Sequence, residues 1–237
     1  MRQSSARVIG TLCLVAVVVR PADAQVDQVV LAAAEAERAP LIETMNDLVA
    51  IESGSRDPAG LAELAAVIAG RLGALGGEVE LVTHDAPYVM VDTPAQIGQS
   101  VVARFRGRGH GRVLLLAHMD TVYQRGQLAE QPFRVDDERA YGLGIADDKH
   151  GVALILHMLA TLRAVDFNDY ELITVLINGD EEVSSAGSRE MITALGAEHD
   201  APPTFNPPSE QGARPGSQNC LRPGSKGWRN TGPLCSA

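Results

Sequence analysis

The chain has little positive charge to spare. Against 30 acidic residues stand 20 Lys and Arg, a formal net charge of -10, which excludes a nucleic-acid or anionic-membrane surface as its working face. It also lacks any apolar run long enough to span a bilayer readily; the run Val8–Val19 falls well short. Cysteine occurs three times, too rarely for a disulfide framework; Cys220 and Cys235 form the pair that an oxidising compartment would join. Aromatic residues make up 4% of the chain, and the 45% apolar content, ample for a core, is therefore mostly aliphatic. No internal repeat is present.

What is present divides into three parts. Met1 to Ala24 has the form of a secretory signal: Arg2 and Arg7 as a basic start, the short apolar run, then Ala22-Asp23-Ala24 as a small-x-small cleavage site before Gln25. Cys13 would leave with it, and the mature protein is expected to be periplasmic or secreted, with no membrane attachment after cleavage. Residues 25–200 carry alternating helical and strand-like patterns. Residues 201–237 are rich in Pro and Gly, lose all periodicity and turn basic at Arg214, Arg222, Lys226 and Arg229. That composition buries too little apolar surface to fold and is expected to be a disordered tail.

Within 25–200, the spacing of Val29, Val30, Ala33, Ala34, Leu41, Met45 and Leu48 predicts helix, with Pro40 at a break or a new start. Asp57 and Pro58 predict the cap and first position of a second helix, with Leu61, Leu64, Ala65, Ile68 and Leu72 as its apolar face and Gly76-Gly77 as its stop. Residues 78–83 and 100–105 read as strands, and Gly107–Gly111 as a hairpin-type turn. Residues 133–135 and 139–141 read as a short hairpin, 152–162 as a buried helix and 186–195 as a last helix. His157, on the buried helix, is expected to be a core or edge histidine rather than a ligand.

Three segments carry chemistry. Val113-Leu-Leu-Leu-Ala-His118-Met-Asp120 and Leu172-Ile-Thr-Val-Leu-Ile-Asn-Gly-Asp-Glu181-Glu182 are apolar runs of strand length, suited to burial on both faces of a parallel sheet. Each ends abruptly in metal-ligand residue types. Between them, Ala140-Tyr-Gly-Leu-Gly-Ile-Ala-Asp147-Asp-Lys-His-Gly151 joins a glycine-punctuated turn to a helix. The two oxygens of Asp147 suit it to bridge two cations. Ligands in open α/β sheets sit beyond the carboxyl ends of strands, so all three segments would deliver His and carboxylates to one sheet edge. Lys149, in the same stretch, is read as solvated or structural, without chemistry.

His118-Met-Asp120-Thr, Gly-Leu-Gly-Ile-Ala-Asp147-Asp-Lys and Asp-Glu181-Glu182, in this order, resemble the di-zinc peptidase family of carboxypeptidase G, aminoacylase, acetylornithine deacetylase and succinyl-diaminopimelate desuccinylase. Residues 119–123, 132–135 and 140–142 make the likeness greatest to the glutamate carboxypeptidases. The resemblance covers residues 41–195 and implies a three-layer α/β/α sandwich that binds two zinc ions. His118 would bind one zinc, Asp147 would bridge both and Glu182 would bind the other. Asp120 would orient the His118 imidazole, and Glu181 would be the general base that accepts a proton from the attacking water. The implied reaction is hydrolysis of an amide bond, releasing a C-terminal glutamate from a folate-type or peptide substrate. N-acyl amino-acid deacylation and dipeptide hydrolysis are the alternatives of the same class; an inactive fragment with residual metal binding is the alternative of another.

The chain also departs from the family pattern. Phe205-Asn206-Pro207 stands where the resemblance implies a Glu ligand, His150 where Gly is usual and Ser184 where Gly is common. The distal His ligand and the lid domain that carries the dimer interface have no counterpart. The expectation is therefore an incomplete catalytic domain, truncated or frameshifted after about residue 200, with impaired turnover.

Overall fold

The computed structural model describes residues 27–200 except 86, 92, 137 and 138, together with the backbone of Cys220–Leu221. The leader expected at 1–24, Asn206 and Cys235 lie outside the described residues. Among those described, no helix is long and apolar enough to cross a membrane.

The chain enters through α1 (Gln28–Ala36) and α2 (Arg38–Val49), with the break at Glu37 and Pro40 inside the first turn of α2. There its missing N–H costs nothing, because first-turn amides have no helical partner anyway. Helix α3 (Pro58–Ala74) starts as its sequence predicts: Pro58 opens it and the Asp57 carboxylate accepts from Gly60 N at 3.2 Å.

A four-stranded sheet follows, built from β1 (Glu78–Val82), β2 (Ser100–Arg106), β3 (Arg112–His118) and β6 (Leu172–Asn178), in the order β1-β2-β6-β3. β3 and β6 are parallel, as their apolar runs predict, but the sheet is mixed: β2 runs antiparallel to both β1 and β6. The hairpin expected at Gly107–Gly111 is also corrected. β2 and β3 are not neighbours, because β6 lies between them. The 107–111 loop instead binds the segment leading into β6, through Gly107 N to Glu171 O (3.1 Å), Gly109 N to Tyr170 O (3.0 Å) and Glu171 N to Gly111 O (2.9 Å). A β-carbon on Gly107 or Gly109 would collide with Tyr170 or Asp169, so the glycines serve that close approach rather than a tight turn.

The sheet is covered on both faces. Val101, Ala103, Phe105, Leu115, Ala117, Ile173, Val175 and Ile177 pack with α2, α3 and α4 (His150–Ala164) into the main core. The alternate residues Val102, Leu114 and Leu176 meet Leu195 of α5 (Arg189–Glu198) on the other face. This is the three-layer α/β/α arrangement, and it explains why every residue of β6 is buried. The last helix starts at Arg189 rather than Ala186. Asp180 accepts from Gly187 N (2.6 Å), Ser188 N (3.0 Å) and Ser188 Oγ (2.6 Å), which holds that stretch in a loop. The expected hairpin forms from β4 (Arg134–Asp136), one residue later than read from the sequence, and β5 (Arg139–Tyr141), and β7 (Cys220–Leu221) pairs with β5.

Candidate metal centre

Parallel pairing places His118, the last residue of β3, level with Asn178, the last residue of β6. The segments beyond both strands therefore leave the sheet side by side. Glu181 and Glu182 follow β6 on a single 3-10 turn (Glu181–Val183). That turn closes through Ser184, whose φ of +66° lies in the left-handed region that favours glycine. The preference for Gly at this position thus has a conformational cause, and serine bears the cost. Asp147 arrives from a third direction, on the irregular turn between Gly144 (φ +69°) and α4. The Asp147–Asp148 peptide bond is cis.

Among the described residues, His118, Asp147 and Glu182 each offer a ligand atom within 4.8 Å of the others. His118 is buried, and its Nε2 lies 3.0 Å from Asp147 Oδ1 and 3.8 Å from Glu181 Oε2. On the other side of the ring, Nδ1–H donates to the Asp120 carbonyl at 3.1 Å, with Asp120 Oδ1 at 3.3 Å. That leaves Nε2 as the atom facing the carboxylates. Asp120 is fully buried, and its carboxylate also accepts from Glu181 N (3.0 Å) and Glu182 N (3.1 Å). One carboxylate thus orients the histidine and anchors the turn carrying both glutamates.

The electrostatics are those of a site built for a cation. Burial pulls the His118 pKa down, but the Asp120 and Asp147 carboxylates outweigh it and push it up to about 11. Burial, then the negative charge of Asp147, pushes Glu182 up to about 7. Both groups thus hold protons where carboxylates crowd together without a counter-charge. A divalent cation resolves both at once, and His nitrogen with two carboxylate oxygens is a donor set zinc accepts. Zinc ligands stand about 3.3 Å apart when tetrahedral, so the widest pair must close somewhat; Asp147 and Glu182 are only part-buried and have room to do so.

The five residues expected to act together are brought together. Lys149, left as solvated or structural, is structural: it is buried and donates to Leu48 O (2.9 Å) and Ile51 O (2.6 Å) at the end of α2. His157 binds Glu37 (2.6 Å) and Thr44 (2.8 Å) and takes no part in the site. Two residues escaped the sequence reading. Asp148 is fully buried, accepts from His118 N at 3.4 Å and faces His150 Nδ1 at 3.5 Å. Ser55 donates to Asp120 Oδ2 at 2.7 Å. The signal for Ser55 was the short polar run Ser53-Gly54-Ser55 between two helices.

Residues 114–216 match the model of peptidase family M20/M25/M40. Carboxypeptidase G2 of Pseudomonas sp. (strain RS-16) is 43% identical over 166 residues, which are 70% of this chain and 38% of that protein. Acetylornithine deacetylase of Yersinia pseudotuberculosis is 32% identical over 157 residues, 63% of this chain and 39% of the relative. The crystal structure of human carnosine dipeptidase 1 superposes with a TM-score of 0.64 at 23% identity, over 75% of this chain and 40% of that one. The likeness to that structure concerns the fold. The chain spans about two fifths of the length of these relatives.

Proposed function

We propose that this chain, whose residues 114–216 match the model of peptidase family M20/M25/M40, contributes the cation site and general base of an amide hydrolase acting on small peptides or N-acyl amino acids. The observation that carries the proposal is the convergence of His118, Asp147 and Glu182 within 4.8 Å, with Glu181 beside them. The finer reading is zinc-dependent release of a C-terminal glutamate, supported by 43% identity to carboxypeptidase G2.

His118, Asp147 and Glu182 would hold the ion, and three protein ligands to one ion match the count of a catalytic site better than two for each of two ions. A zinc ion there supplies Lewis-acid chemistry, polarising a carbonyl and lowering the pKa of water. The chain's own residues do the rest. Glu181 accepts the proton of the attacking water and returns it to the amine nitrogen as the C–N bond breaks, so water and amide become acid and amine. Asp120 keeps the proton of His118 on Nδ1, which leaves Nε2 to face the cation.

A second reading, a cation-binding chain with little turnover, is favoured by Asn206, a neutral amide where the resemblance implies a carboxylate. One assay separates the two. The chain is incubated with zinc and with a folate-type glutamate conjugate, an N-acetyl amino acid or a dipeptide, and amine release is followed. Zinc-dependent glutamate release that Glu181→Ala abolishes supports the hydrolase, and preference for another substrate moves the specificity. Stoichiometric zinc binding without release from any of the three supports the second reading.

A further inference from the structure

We propose that Ser55 is a positioning residue of this centre, fixing the Asp120 carboxylate and through it both His118 and the Glu181–Glu182 turn. The carboxylate has no access to solvent, so water cannot replace a lost partner. Its Oδ1 serves Glu181 N at 3.0 Å and faces His118 Nδ1 at 3.3 Å. Its Oδ2 serves Glu182 N at 3.1 Å and receives the Ser55 hydroxyl at 2.7 Å, the shortest of the four contacts. Remove that hydroxyl and Oδ2 is left with a single backbone donor, so the carboxylate is free to turn about its own axis. Any such turn moves Oδ1 relative to the imidazole and loosens the anchor of both glutamates.

Ser55 is itself held rigidly. Its N–H donates to Thr121 O (3.0 Å), Thr121 N donates to Ser53 O (2.9 Å), and Ser53 Oγ donates to Met119 O (2.7 Å). Gly54 makes a parallel bridge to Thr121 and lies so close to Tyr123 O that no β-carbon fits. Residues 53–55 thus act as a short extra rung alongside residues 119–121, aiming one hydroxyl at one carboxylate oxygen. The hydroxyl has two acceptors in reach, Asp120 Oδ2 at 2.7 Å and Thr121 O at 3.3 Å, and the shorter, charge-assisted bond to the carboxylate is the stronger.

The test has a metal-free arm and a metal arm, both on the full chain; only the second rests on the proposed function. In metal-free protein, amide hydrogen exchange of Ser55→Ala is compared with wild type. Glu181 and Glu182 amides should exchange about tenfold faster, as expected when a charge-assisted bond weakens. The Gly187 and Ser188 amides, held by Asp180 at 2.6 and 3.0 Å, should not change. In the metal arm, Co2+ is titrated by its visible absorption. Ser55→Ala should weaken Co2+ binding about tenfold, the lower end of losses from residues behind a metal ligand. The same substitution should add no further loss in an Asp120→Ala background. Unchanged exchange at Glu181 and Glu182, equal acceleration at Gly187 and Ser188, or an additive loss beside Asp120→Ala would each overturn the proposal. Absence of Co2+ binding by wild type would refute the metal reading alone, since the exchange arm still decides whether Ser55 holds Asp120.

Discussion

Cation binding should be steeply pH-dependent, with a slope that changes near neutrality. A cation takes His118 as neutral imidazole and Glu182 as carboxylate. In the metal-free site His118 holds its proton up to about pH 11, because Asp120 and Asp147 outweigh the effect of burial, and burial and Asp147 hold a proton on Glu182 up to about pH 7. Below pH 7 each cation must therefore displace two protons, and between 7 and 11 only one. Affinity should rise about a hundredfold per pH unit in the first window and about tenfold in the second, each decade being ~1.4 kcal/mol. Chelator-competition titrations from about pH 5.5 to 8.5 read both slopes, and proton release measured in buffers of differing ionisation heat counts the protons directly. His118→Gln, which has no proton to lose, should remove one proton from the slope below pH 7; above it Glu182, no longer held down by the positive charge of His118, keeps its own proton to higher pH. A flat affinity across the whole range would show that His118 is already neutral, and the electrostatic account of the site would fail.

Three further outcomes follow from single residues. Burial lowers Lys149 from 10.5 to about 7, so between these values the unfolded chain binds the extra proton and stability rises with pH. The penalty is complete below pH 7 and amounts to at most ~5 kcal/mol before its two carbonyl partners offset it. Denaturant unfolding near pH 7 and pH 9.5 should show that rise in wild type and a flatter profile in Lys149→Met, and identical profiles would count against it. Gly54→Ala places a β-carbon against Tyr123 O and should cost about 2–4 kcal/mol, read as a lowered unfolding midpoint; a neutral substitution would show that residues 53–55 yield easily. Export should remove residues 1–24, so intact-mass analysis of secreted protein should place Gln25 at the N-terminus, and a mature form retaining Cys13 would contradict this.

The site was legible in the sequence where chemistry follows directly on an apolar run. His118 ends one strand and Glu181–Glu182 follow the end of another on a short turn, strands whose burial the apolar runs themselves announce, and Asp147 sits between a glycine turn and an apolar helix. The strand pairing was not legible. Nothing in Gly107–Gly111 distinguishes a hairpin turn from a loop clasping residues 168–171, because the deciding hydrogen bonds come from residues 60 to 64 positions further along the chain. The start of α5 was misplaced for a similar reason. Residues 186–188 have helical neighbours, but Asp180 captures the Gly187 and Ser188 amides first. The polar run 53–55 marked Ser55 as a place to look but not its task, because a hydroxyl's role depends on its acceptor, and Asp120 lies 65 residues away. Long-range polar contacts of this kind leave no periodic trace.

The proposed function stands on one cation held jointly by His118, Asp147 and Glu182. Zinc K-edge absorption spectroscopy on the chain loaded with one equivalent addresses it directly. The account requires a first shell with one imidazole nitrogen at about 2.0–2.1 Å and carboxylate oxygens beside it. The imidazole signal should vanish in His118→Ala, and Asp147→Ala should lose zinc on dialysis. A zinc shell without imidazole, or one that His118→Ala leaves unchanged, would place the ion elsewhere and contradict the account.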